Sequence, residues 1–132
     1  MGNNLWVQRF KAGEIIAVDP LFDEMFAPYA TAAVDGFLSL DFGDGAAELY
    51  HRPGDMGAMF AHFGGEGLVA VLYDFLKRSR GSVAFWPEDT PCGAVGQASD
   101  LTEMHPGLIK TVDPRVVASP AALSSMIRGE GD

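Results

Sequence analysis

Three histidines, His51, His62 and His105, are the first groups in this 132-residue chain able to bind a metal or carry a proton. Zinc needs three or four N, S or O donors within about 2.3 Å of one point, and the histidine spacing matches no ligand pattern. His51 stands beside the turn signal Pro53-Gly54-Asp55, while His62 falls several residues further along the following strand, so the two imidazoles are not expected to meet. No metal and no cofactor is expected. Asp55 faces His51 around the same turn and would orient its tautomer, although an aspartate after Pro-Gly also serves as a turn residue bonding to its own backbone. Cys92, in Thr90-Pro91-Cys92-Gly93, has neither a neighbouring base nor a helix N-terminus in the sequence to lower its pKa.

Two further patterns bear on binding. Gly64-Gly65-Glu66-Gly67 precedes a helix and resembles an anion cradle in outline, but the phosphate-holding lysine is missing and Glu66 already supplies negative charge, which favours a connector with positive φ angles. Asp41, Asp44 and Glu48 crowd one hairpin without calcium-loop spacing. Like charges on a rigid hairpin make a directed field, and these three residues are the expected contact for a basic partner. Trp6, Tyr29, Tyr50 and Trp86 are aromatics that serve cores and interfaces alike, and Met56 and Met59 beside Phe60 and Phe63 make an adaptable apolar surface or core filling.

The elements that must position these residues follow from periodicity and turn chemistry. Leu5–Phe10 and Glu14–Val18, joined by Lys11-Ala12-Gly13, predict an N-terminal hairpin. Asp19-Pro20 starts a short helix reaching Phe26 and ended by Pro28. From Phe37 to Phe63 two turn signals separate three runs, which predicts a three-stranded meander with Leu38, Leu40 and Phe42 facing the core. Residues 68–80 form the longest predicted helix, with Leu68, Val71, Leu72, Phe75 and Leu76 on one face and Lys77, Arg78 and Arg80 before Gly81 at its end. Ser82–Trp86 reads as a buried strand closed by Pro87. The stretch 88–100, rich in Gly, Pro, Asp and Ser, is expected to be irregular. Asp100 then caps a short helix near Leu101–Met104 that Pro106-Gly107 interrupts, Arg115–Ala118 reads as a strand, and Ser119-Pro120 opens a last helix before a frayed tail at 129–132.

Hairpins and helices without strict βαβ alternation point to an α+β fold: a mainly antiparallel sheet packed against one long and two or three short helices. One globular domain spanning 1–132 accommodates this, since the chain is 48% hydrophobic and 11% aromatic. Eighteen acidic side chains against nine basic ones give a net charge of -9, and the cations form no footprint for phosphates, which argues against nucleic acid. No apolar run approaches the roughly 18 residues of a membrane span, no secretory signal opens the chain, and the single cysteine suits a reducing compartment, so a cytoplasmic protein is expected.

Each catalytic arrangement lacks a partner. The expected function is therefore non-enzymatic protein–protein interaction, with a basic partner or a second copy of the chain, in its specific form an acidic inhibitor or immunity-type protein. The alternative is a small-ligand binding protein or weak hydrolase, with a pocket between the sheet and the 68–80 helix and His51, Asp55, His62 and Cys92 as its polar residues.

Overall fold

The computed structural model describes residues 4–34, 36–52, 54–86 and 92–127. Its centre is β1 (Leu5–Lys11), which turns tightly into β2 (Glu14–Ile16). Ala12 and Gly13 have φ of 51° and 85°, the doubly left-handed geometry whose twist matches a two-residue hairpin. The other edge of β1 carries β7 (Ser82–Trp86), and the first half of β1 pairs with β6 (Gly57–Ala61) on the β2 side. Beyond β6 lie β5 (Ala46–Tyr50), β4 (Phe37–Asp41) and β3 (Ala30–Val34), and beyond β7 lie β8 (Cys92–Val95) and β9 (Pro114–Val116). The nine strands make one open, mostly antiparallel sheet, with only β8 and β9 parallel.

Helices α1 (Leu21–Phe26), α2 (Gly67–Arg78) and α4 (Pro120–Ile127) contribute to the larger core, and α3 (Pro106–Val112) with a 3-10 turn at Ala98–Glu103 covers the β7–β8 end of the opposite face. β7 is consequently buried along its whole length, with Ala84 and Trp86 in the larger core and Val83 and Phe85 in the smaller one. The larger core packs Phe22, Phe26, Phe60 and Phe75 with ring centroids 4.6 to 5.9 Å apart for the pairs in contact, all tilted or edge-on.

The three-stranded meander is one strand too small, because Ala30–Val34 also pairs with β4. Its Ala-rich sequence hides the strand, since alanine carries little β signal. The irregular stretch expected at 88–100 is strand β8 from Cys92 to Val95 and a 3-10 turn from Ala98; 88–91 lies outside the described residues, as do Pro53, Pro87 and the tail at 129–132. Small residues buried on both faces erase the alternation that identifies a strand. Asp100 is the third residue of that turn, with Gln97 at its N-cap, and does not open a helix at Leu101. Pro106 begins α3 where an interruption was expected, with His105 Nδ1 accepting from Gly107 N at 2.9 Å, the same cap-then-proline arrangement as Ser119 Oγ accepting from Ala122 N at 3.1 Å. In α2 the buried face runs through Val69, with Val71 only partly buried.

Candidate functional site

The α2-facing side of the sheet is filled. Phe22, Leu68, Leu72 and Phe75 are fully buried there against Phe60. An open groove lies on the opposite face, where the β1–β2 hairpin, β7 and α3 line about 820 Å³. Phe10 and Phe85 form its floor, and Ile15, Leu108 and Val112 its apolar walls. Gln8, Glu14, His105 and Thr111 add polar groups. Two bonds brace the hairpin wall: Ala12 N donates to Glu103 Oε1 and Gly13 N to the Glu103 carbonyl, both at 2.8 Å. A groove held this way is present before any ligand arrives.

From Phe85 an apolar row continues across the sheet. Register places Phe85 opposite Trp6, Trp6 opposite Met59, Met59 opposite Tyr50, and Tyr50 beside Phe37, with the last two rings 5.3 Å apart. Because strand side chains alternate, all five stand on one face, and Trp6, Met59, Tyr50 and Phe37 are partly exposed. The next row along the strands is polar, with Ser39 opposite Glu48. Glu48 Oε1 accepts from Tyr50 Oη at 3.1 Å and sits 2.9 Å from His62 Nδ1. The His62 bond, reinforced by Tyr50, holds the Glu48 carboxyl below the usual glutamate value, whereas burial, then Glu48 itself, pushes the Tyr50 hydroxyl up. Glu48 Oε2 accepts no hydrogen bond among the described residues. The open-face positions of β1, β4, β5, β6 and β7 carry two carboxylates, Asp41 and Glu48, and neither Lys nor Arg.

The acidic trio does not act as one cluster. Asp44 turns towards α2, where its two carboxylate oxygens accept from Glu66 N at 2.8 Å and Gly67 N at 3.1 Å, and these bonds lower its pKa. The anion cradle at 64–67 is thus filled by the chain's own carboxylate. A Cβ on Gly65 would lie 2.7 Å from the Asp44 carbonyl oxygen, and Gly65 also has φ +82°, so glycine is required for this approach. Asp41 accepts from Gly43 N at 2.8 Å within its own turn.

The four residues of the alternative site are not brought together either: no hydrogen bond or ion pair joins any two of them among the described residues. His51 is 1% exposed at its side chain, edge-on to Phe22, with Nδ1 3.1 Å from the Gly57 carbonyl; that acceptor assigns the hydrogen to Nδ1. Its Nε2 lies 3.3 Å from Asp23 Oδ1 on α1, a neighbour that no spacing in the sequence pairs with His51. Asp55 accepts from Arg52 N at 2.9 Å, the turn role. His62 is 76% exposed on its side chain beside Glu48. Cys92 is half-buried, paired with Trp86 and packed against the larger core. Trp86 is a core residue, and Tyr29 packs on Phe42 at 4.7 Å.

No group of three or more His, Cys, Asp or Glu residues able to hold a metal occurs among the described residues, and no described helix is long and apolar enough to cross a membrane. The residues that sequence reasoning did not assign to a site are Phe10, Ile15, Leu108 and Val112. Ile15 is exposed and Leu108 half-buried, whereas Phe10 and Val112 are buried in the smaller core, and the elements that carry them are joined only in space. Compared with known proteins, the chain matches no family model, no curated protein and no solved structure.

Proposed function

We propose that this protein is a non-catalytic binding module that docks a basic, apolar-bearing segment of another protein on the open face of its sheet. The observation that carries this reading is the partly exposed row Phe37–Tyr50–Met59–Trp6, which runs up to the buried Phe85 and is flanked by Glu48 and Asp41, with no Lys or Arg on the same face of these strands. Aromatic and methionine side chains supply adaptable contact area, and carboxylates with no Lys or Arg on their face of the sheet favour a cationic partner and speed its encounter. An inhibitor or immunity-type protein masking a basic partner is the specific form that this surface and a net charge of -9 suit.

The test is affinity capture at low and high salt with wild type, Met59→Asp and Glu48→Gln. A basic protein retained by the wild type, released by salt and lost from both variants supports the reading. Retention by all three alike overturns it.

A second reading has its own observation, the braced apolar groove, whose volume of about 820 Å³ lies in the range of small-molecule sites. A small apolar molecule raising the melting temperature of wild type and not of Ile15→Asp would favour it.

A further inference from the structure

We infer that the groove and Glu48 are two ends of one recognition track, which takes an extended partner segment with an apolar anchor and a cation at a set separation. The inference rests on the reading above and adds a spacing rule to it. Phe85, on the groove floor, is three strands from Glu48 through β1 and β6, and Glu48 lies two residues along the strand from the Phe85 row. Strand spacings of about 4.8 Å and a rise of about 3.4 Å per residue make this diagonal about 16 Å. Gln8, also lining the groove, is two strands and four residues away from Glu48, because Gln8 pairs with Gly57 and Glu48 with Ala61. That diagonal is again about 16 to 17 Å. An extended segment advances about 3.3 Å per residue, so the anchor and the cation are separated by about five residues.

Charge and packing choose the occupant. The track starts at the Gln8 and Phe85 side of the groove, passes the partly exposed Trp6 and Met59, and ends at a carboxylate that Tyr50 and His62 hold in place. With Oε1 engaged and only Oε2 open, Glu48 offers one acceptor. An arginine therefore has no bidentate advantage over a lysine there.

Fluorescently labelled peptides carrying one Leu, Phe or Trp and one Lys, separated by two to eight residues of a neutral Ser/Ala background, test the rule by anisotropy at low salt. Wild type is expected to bind most tightly at a separation of about five, about tenfold better than at two or eight. Glu48→Gln is expected to flatten the profile while keeping weak anchor binding, and Ile15→Asp to remove binding, with both variants retaining the wild-type circular dichroism and melting temperature. A flat wild-type profile whose affinity still falls in Glu48→Gln overturns the spacing rule and leaves the open-face reading standing. No binding by any peptide overturns both. Equal binding of peptides lacking lysine makes the groove a small-ligand site, and a concentration-dependent dimer dissolved by Ile15→Asp assigns it to a second copy; either result overturns the track.

Discussion

Replacing Asp100 by alanine tests how the groove-bearing end of the sheet is held. Asp100 is 0% exposed. Its Oδ1 accepts from Gly81 N at 2.7 Å and its Oδ2 from Gln97 N at 3.2 Å, while Gln97 Nε2 donates to the Lys77 carbonyl at 2.8 Å. One carboxylate thus joins the α2–β7 turn to the 3-10 turn whose Glu103 braces the hairpin. The Gly81 backbone is tied to β1, since Phe10 N donates to its carbonyl at 2.9 Å, and with φ +81° and the Phe10 carbonyl oxygen against its Cα the position requires glycine. Alanine at 100 orphans the buried Gly81 N–H, which costs about 1–3 kcal/mol. The Gln97 N–H is partly exposed and recovers water, and removing a buried charge offsets part of the loss, so the expected net is about 2 kcal/mol. At roughly 4 °C per kcal/mol for this chain length, the melting temperature falls by about 8 °C. Asparagine keeps the Gly81 bond and forfeits the other, and is expected to fall between the two.

The pH dependence has a definite sign. Burial pushes the Asp100 carboxyl up, against the bonds from Gly81 and Gln97. Between the ordinary aspartate value and the raised native one, the folded state binds more protons than the unfolded state, and stability contributed by this group falls as pH rises. The advantage of wild type over Asp100→Asn should therefore widen as pH drops through that window and level off below it, because the other carboxylates titrate alike in both proteins. Urea unfolding followed by tryptophan fluorescence gives these differences. An Asp100→Ala protein within about 0.5 kcal/mol of wild type, the range of ordinary surface changes, or an advantage that shrinks on acidification, would refute the reasoning.

Asp44→Asn is expected to lower the urea midpoint at neutral pH, since the Glu66 and Gly67 amides lose a charged acceptor. The difference should vanish in acid, because a carboxyl of lowered pKa contributes above its unfolded value and loses that contribution as pH falls through the native one. Gly67→Ala sets helix propensity against space: alanine favours a helix by about 1 kcal/mol, but its Cβ would meet Phe42 Cβ at 2.5 Å and Asp44 Oδ1 at 2.9 Å. Overpacking costs about 1–3 kcal/mol, so chemical denaturation should show net destabilisation, and a gain would refute the geometry. Phe22→Ala, which removes a ring in contact with Phe26, Phe60, Phe75 and His51, should cost about 3–5 kcal/mol in the same assay. Because Glu48 is held below the usual glutamate value, salt-sensitive capture of a basic partner should persist to lower pH than an ordinary glutamate allows, and be lost only as that lowered value is passed.

Local chemistry accounts for what the sequence determined by itself. Strand alternation put Leu38, Leu40 and Phe42 on the core side, the Asp19-Pro20 and Ser119-Pro120 pairs marked two helix starts, and Lys11-Ala12-Gly13 marked the hairpin, because each depends on residues within a few positions of one another. What failed locally failed where neighbours are distant: Ala30–Val34 and Cys92–Val95 are strands because β4 and β7 supply their hydrogen bonds. The candidate site belongs to the second kind. Asp41, Asp44 and Glu48 are close in sequence, yet Asp44 is drawn to the amides of residues 66 and 67 across 22 and 23 positions, leaving Glu48 with His62 and Tyr50. His51 meets Asp23, and Phe10, Ile15, Phe85 and Leu108 meet around one groove, only once the strands and helices assemble. A side chain's type and strand parity are readable in the chain, but which carboxylate keeps a free oxygen and which apolar residues share a wall depend on contacts between elements far apart in sequence, and the tertiary fold alone creates those.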